Sequence, residues 1–198
     1  MPHSHLLTRH PGTDSHAVQE IEASVSWNYG GPIEFAYALK GDLIHLRIPA
    51  TGSPRKADRL WEHTCFEAFF AVKDQPAYYE VNLAPSGEWA VYAFRGYREK
   101  APLTDGGESD ADIAVQCAVD KLYLEATVRV DGLSAIQPGA RVSVALSAVI
   151  EDNRGILSYW ALKHPAGKPD FHHRDGFALE IEAPIPSPSP SPRGRGKG

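Results

Sequence analysis

Residues 121–131 read KLYLEATVRVD. Leu122, Leu124, Ala126, Val128 and Val130 take every second position, and Lys121, Tyr123, Glu125, Thr127, Arg129 and Asp131 fill the rest. Successive side chains leave a strand on opposite sides, so this period of two predicts a strand with one buried and one solvated face. The same period runs outward through the chain. It appears at Ile21, Ala23, Val25 and Trp27, at Ile33, Phe35, Tyr37 and Leu39, and at Ile44, Leu46 and Ile48. It returns at Ile113, Val115, Cys117 and Val119, at Val142 to Ile150, and at Phe177, Leu179 and Ile181. Turn residues separate these runs, as in Lys40-Gly41-Asp42, Pro138-Gly139 and Asn153-Arg154-Gly155. No long amphipathic helix is written anywhere. The expected fold is all-β: a two-sheet antiparallel β-sandwich of about ten strands.

Composition narrows the function. The chain has 198 residues, 42% of them hydrophobic, enough for one core. Lys plus Arg number 20 against 25 Asp plus Glu, a net charge of -5, which argues against binding nucleic acid through its phosphates. No apolar run approaches the ~18 residues of a membrane-spanning helix, so no membrane partner is expected. Residues 1–17 are polar, hold four histidines and read as a flexible N-terminus without a secretory leader. Residues 18–182 form the expected sandwich. From Ala183 on, APIPSPSPSPRGRGKG reads as a disordered Pro/Ser/Gly/Arg tail. The tail carries three bases, and without them 17 basic and 25 acidic residues remain, a net of -8. A cytoplasmic location is expected, with Cys65 and Cys117 as reduced, buried thiols.

The middle of the chain departs from simple alternation. Leu60–Val72 reads LWEHTCFEAFFAV. If Phe66, Ala68, Phe70 and Val72 face the core, His63, Cys65, Glu67 and Phe69 share the other face. In the next strand, AYYEVNLA, Tyr79, Val81 and Leu83 fit the core and Tyr78, Glu80 and Asn82 point away. APSG then leads into GEWAVYAFRGYR. A two-residue loop would set Trp89 beside Asn82, and a loop one residue longer would bring up Tyr92 and Phe94 instead. Acids and an amide beside an aromatic platform suit a sugar, whose hydroxyls they bond while the ring packs on C–H groups. Ordinary cross-strand pairing on a solvated face would give the same pattern.

His164–Asp175, a loop with two prolines and three histidines, supplies His164, Asp170 and His172 as further candidate contacts, Asp170 also as the cap of a local turn. His172 and His173 are adjacent and cannot share a face of an extended chain, and no zinc spacing occurs, so no metal site is expected. No GxSxG, Walker, HExxH or dinucleotide motif is present. Glu62 with Glu67, or Glu67 with Glu80, could serve as an acid–base pair, leaving a glycoside-active hydrolase as an alternative.

RLWEHTCFEAFF, YYEVNLAPSGEWAVYAF and SYWALKHPAGKPDFHH together resemble the bacterial DOMON-like proteins, within the superfamily of DOMON domains and family 9 carbohydrate-binding modules. The resemblance spans roughly Trp27 to Glu182. It implies a sandwich of about ten strands with ligands on one face or at an end, sugars in some members and haem in others. It places a recurrent acid at Glu67 and a recurrent hairpin at Tyr79, Asn82, Pro85 and Gly87. Relatives that bind sugars clasp them between two tryptophans, for which Trp61, Trp89 and Trp160 are available. Haem-binding relatives use a methionine and a histidine, and this chain has no methionine after Met1. A bis-histidine site would have to draw on His45, His63, His164, His172 and His173. The resulting expectation is a non-catalytic small-molecule binding module for a carbohydrate or sugar derivative. Its candidate contacts are Trp61, Glu62, His63, Glu67, Tyr78, Glu80, Asn82, Trp89, Trp160, His164, Asp170 and His172. No cofactor is required, haem is the alternative ligand, and no protein partner is defined.

Overall fold

The computed structural model describes residues 4–28, 31–103, 109–130 and 136–186. The residues beyond 186, most of the expected tail, lie outside the described residues. Fourteen strands and no α-helix are present among the described residues. The strands are β1 (His5–Leu6), β2 (Thr8–Arg9), β3 (Val18–Trp27), β4 (Ile33–Gly41), β5 (Arg55–Lys56), β6 (Cys65–Val72) and β7 (Tyr78–Leu83). They continue with β8 (Glu88–Gly96), β9 (Glu99–Ala101), β10 (Asp110–Cys117), β11 (Lys121–Arg129), β12 (Arg141–Glu151), β13 (Leu157–Ala161) and β14 (Leu179–Glu182).

Two sheets form. The smaller runs β1-β3-β4-β11-β10 and the larger β2-β13-β12-β6-β7-β8-β5, with β14 beside β12 and β9 beside β8. The expected two-sheet sandwich is what the chain adopts. Its core lies between the sheets and is filled from both by the period-two positions, among them Ile21, Phe35, Leu122, Leu124, Val144 and Leu146. Aromatic rings join the layers: Phe35 meets Phe70 at 5.7 Å and Tyr37 meets Phe66 at 4.8 Å. The Tyr37 hydroxyl donates across the core to the backbone carbonyl of Glu67 at 2.8 Å. The smaller sheet has a solvated outer face, so β11 alternates buried and exposed along its whole length.

The larger sheet is different. Cys65 to Ala71 of β6 are buried on both faces. Its second face carries its own apolar cluster of Phe69, Ala71, Tyr78, Phe94 and Ala145, with Phe171 and Phe177 packed on it from the segment between β13 and β14. Burial on both sides removes the polar alternation that marks β11, which is why the sequence of β6 reads as nearly continuous apolar residues.

Three expectations need correction. The expected flexible N-terminus, residues 1–17, is ordered where it is described, from residue 4 on: β1 pairs with β3 in one sheet and β2 with β13 in the other. Leu7, between them, is buried in the core and ties this segment down. Ile44, Leu46 and Ile48 do not form a strand, because Leu43–His45 is a 3-10 turn that leaves Ile44 exposed, and only Leu46 makes a bridge, to Asp152. Cys117 is free but exposed, at the end of the edge strand β10 where the chain runs past the core, and only Cys65 is a buried thiol.

The Tyr37 bond and the ring beneath it hold the two layers in register. Tyr37→Phe, which leaves the ring and deletes the hydroxyl, is expected to lower unfolding free energy by about 1 kcal/mol. Phe66→Ala, which opens a cavity, is expected to lower it by about 3–5 kcal/mol, both read from urea denaturation.

Candidate functional site

On the outer face of the larger sheet, pairing aligns side chains in cross-strand rows. Ser147, Glu67, Asn82 and Ala90 stand in one row, and Ala145, Phe69, Glu80 and Tyr92 in the next. The register of β7 and β8 settles the question left open by the hairpin. Leu83 pairs with Trp89, and Ala84 donates to the carbonyl of Glu88, so Pro85, Ser86 and Gly87 make a three-residue loop. Gly87 takes the left-handed conformation (φ 87°) that such a loop needs at its last position. Tyr92 and Phe94 therefore join Glu67 and Glu80 on this face, and Trp89 turns inward.

The result is a cleft of about 270 Å³. Glu67 and Glu80 lie at its floor, each 4% exposed. Trp61, Tyr92 and Phe94 wall one side, and Tyr159, Val149 and Phe171 another. Trp61 meets Tyr92 edge-on at 5.8 Å. Arg98, Lys100, Pro169, Asp170 and His172 complete the lining. Lys100 pairs with Phe94 through β9, and its ammonium lies 4.3 Å from the centre of the Tyr92 ring. The Tyr92 hydroxyl donates to Asp58.

The segment after β13 is clamped over this face. Asp170 accepts from the Arg98 guanidinium at 2.8 Å, from the Tyr97 hydroxyl and from the His172 backbone N–H at 3.1 Å. It thus caps its local turn, as expected, and also fixes the loop to the β8–β9 hairpin. Arg174 donates to the carbonyls of Gln75 and Pro76. The Tyr78 hydroxyl accepts from the Arg98 N–H at 3.0 Å and meets His172 Nδ1 at 2.8 Å. His172 Nε2, the other ring nitrogen, lies 3.7 Å from a Glu80 oxygen.

Electrostatics follow from burial. Desolvation, reinforced by the nearby Glu80 charge, pushes the Glu67 carboxyl well above its ordinary range. Desolvation raises Glu80 to about 7, against the lowering pull of the Asn82 amide, Lys100 and Arg98. Burial, then the Arg98 charge, drops His172 to about 4, so it is neutral at pH 7. Asn82 donates its amide to Glu80 at 2.8 Å, while Asn82 Oδ1 and Ser147 Oγ, both buried, have no partner among the described residues.

Of the residues singled out in the sequence, Trp61, Glu67, Glu80, Asp170 and His172 line the cleft, and Tyr78 and Asn82 support it from the same sheet face. Five do not belong. Trp89 (4% exposed) and Trp160 (6%) are buried in the core between the sheets. The Trp160 indole donates to Ser158 Oγ at 3.1 Å. With only Trp61 left in the cleft, two facing tryptophans are not available. Glu62 is exposed and paired with Arg59. His63 bonds Glu151 at 2.7 Å, and His164 bonds the Thr8 carbonyl at 2.7 Å. The five histidines weighed as axial ligands each engage their own neighbourhood, with His45 on Asp42 and His173 accepting from the Asp175 N–H. Sequence reasoning did not reach Arg98, Lys100, Pro169 or Phe171. Arg98 sits in a left-handed turn (φ 55°), which the sequence does not announce. The αL glycine of Pro-Ser-Gly was the available signal for the register that brings in Tyr92 and Phe94.

A second cleft, about 400 Å³, lies among Asp14, His16, Asp42, His45, Asp152 and Arg154. Its charged groups pair with one another, His16 with Asp14, His45 with Asp42 and Arg154 with Asp152. It has no aromatic wall, so the smaller cleft is the candidate site.

No protein-family model and no curated protein matches the chain. Solved structures of the same fold do. One is a candidate carbohydrate-binding protein from Bacteroides uniformis, 14% identical, covering 92% of this chain and 86% of its own, with a TM-score of 0.60. A family 9 carbohydrate-binding module from Caldicellulosiruptor kristjanssonii in complex with cellotriose is 12% identical over 98% of this chain and 89% of its own, TM-score 0.55. The glucose complex of such a module from the same organism is 11% identical over 96% and 88%, TM-score 0.54.

The raised floor carboxyls make stability depend on pH. A carboxyl near 4.5 when unfolded and about 7 when folded keeps a proton in the folded state that the unfolded chain releases between those values. Its stabilisation is full below about pH 4.5 and is lost as pH rises to about 7. Glu80→Gln is therefore expected to be more stable than the parent at pH 8 and to lose that advantage at pH 5, read from melting temperatures.

Proposed function

We propose that the protein is a non-catalytic module that binds a sugar in the cleft over β6, β7 and β8. The observation that carries this reading is a floor of Glu67 and Glu80, backed by the Asn82 amide on Glu80, set within walls of Trp61, Tyr92, Tyr159 and Phe171. Buried carboxyl and amide groups bond several hydroxyls at once, and aromatic faces cover the C–H side of a pyranose. A volume of about 270 Å³ suits a single sugar ring better than a long chain. The fold shared with modules solved in complex with glucose and cellotriose supports the reading.

Calorimetry with glucose and short cello-oligosaccharides tests the proposal. Trp61→Ala is expected to weaken binding at least about tenfold, the loss of one stacking wall. Trp89→Phe, in the core, is expected to leave affinity within about threefold. Equal affinities for the parent and Trp61→Ala would remove the cleft as the binding site.

A further inference from the structure

Glu67 and Glu80 are diagonal neighbours on adjacent strands, since Glu67 pairs with Asn82 and Glu80 stands two residues before it. Such positions lie ~7–8 Å apart at the backbone, with less between side chains, which leaves room for one small group between two carboxyls. Glu67 is flanked in its own row by Ser147 and Asn82. Ser147 Oγ and Asn82 Oδ1 are the unpartnered atoms, on side chains 1% and 0% exposed. Asn82 has already given an amide hydrogen to Glu80. With one Glu80 oxygen so taken, the floor offers the other Glu80 oxygen, the Glu67 carboxyl, Asn82 Oδ1 and Ser147 Oγ. Two unpartnered buried polar atoms beside two buried carboxyls are groups that a donor-rich ligand would satisfy.

Two buried carboxyls side by side suit a donor that carries positive charge. The Tyr92 and Trp61 rings already hold one cation, the Lys100 ammonium, at 4.3 and 5.8 Å, and that charge with Arg98 lowers Glu80 without reaching between the two carboxyls. Arg98 is committed to Asp170. His172 faces Glu80 as a neutral imidazole, and the remaining titratable groups around the floor are the phenols of Tyr78, Tyr92 and Tyr159 and the Cys65 thiol.

We propose that the group seated between Glu67 and Glu80 is a protonated primary amine, which makes an amino sugar, not a neutral sugar, the preferred ligand. The inference rests on the sugar reading and sharpens it. The ammonium gives three hydrogens, to Glu67, Glu80 and Asn82 Oδ1, and its charge favours ionisation of both carboxyls. Binding is therefore accompanied by release of protons from the floor.

Calorimetry of the full chain at pH 6.5 with glucosamine, N-acetylglucosamine, glucose and cyclohexylamine tests this. Glucosamine is expected to bind at least about tenfold tighter than glucose or N-acetylglucosamine. Repeating the titration in buffers of different ionisation enthalpy is expected to show proton release. Glu80→Gln, with Glu67→Gln as the second variant, is expected to abolish the preference and the proton release. Lys100→Ala is expected to strengthen glucosamine binding by removing a like charge. Equal binding of glucose and glucosamine would overturn the amine inference and leave the sugar reading standing. Binding of cyclohexylamine without any sugar would keep the amine and discard the sugar. No binding by any of the four would overturn both.

Discussion

The site depends on one constraint: β6 is covered on both faces. Phe66 and Phe70 face the smaller sheet, and Phe69 faces the segment that folds back after β13. Glu67 lies between those aromatic positions on a strand covered on both faces, and is 4% exposed at the floor of the cleft. An acid placed there has three ways to be tolerated: a cation, hydrogen bonds or a retained proton. No cation pairs directly with Glu67 among the described residues, so the retained proton prevails, and the raised affinity for it follows from the burial. The Tyr37 hydroxyl, bonded to the Glu67 carbonyl from the opposite layer, keeps this part of the strand from moving outward to relieve the strain of burial.

That second covering is built from long-range contacts. Asp170 reaches Arg98 and Tyr97 across 72 and 73 residues, and His172 reaches Tyr78 across 94. These bonds fix the loop by its polar ends while Phe171 and Phe177 pack between them. The cleft is therefore a consequence of how far the loop extends over the sheet. Where it ends, Glu67 and Glu80 are reached by solvent-sized space, and where it covers, Phe69 and Tyr78 are sealed.

Legibility in the sequence follows the same division. The sandwich could be read because the strands of the smaller sheet have one wet face, so β11 and β4 write their register in alternation. Glu67, Glu80 and Asn82 could be placed on one face because their strands keep strict alternation with the core positions. Trp89 could not be settled by alternation alone, since one residue of loop length inverts a strand. Only the conformation of Gly87 decides it. The contributions of Arg98, Lys100 and Phe171 depend on which distant segments meet, and no local pattern records that. Trp160 shows the converse: it stands in a block of unusual residues yet lies in the core, and its neighbour Tyr159, on the other face, is the one in the cleft.

A shared fold at 11–14% identity carries the scaffold and leaves the recognition chemistry to the individual site. In this chain the aromatic wall is one tryptophan supplemented by tyrosines and phenylalanines, and the polar floor is buried more deeply than a hydroxyl-binding surface requires. A neutral sugar could be held by exposed amides and carboxylates at little desolvation cost. Retaining two carboxyls and two unpartnered polar atoms in the interior is a destabilising arrangement. It persists most readily where a ligand compensates it, and the compensation is largest for a ligand that brings charge of the opposite sign. The depth of burial, more than the identity of any one residue, is therefore the feature that separates this cleft from a generic sugar-binding surface.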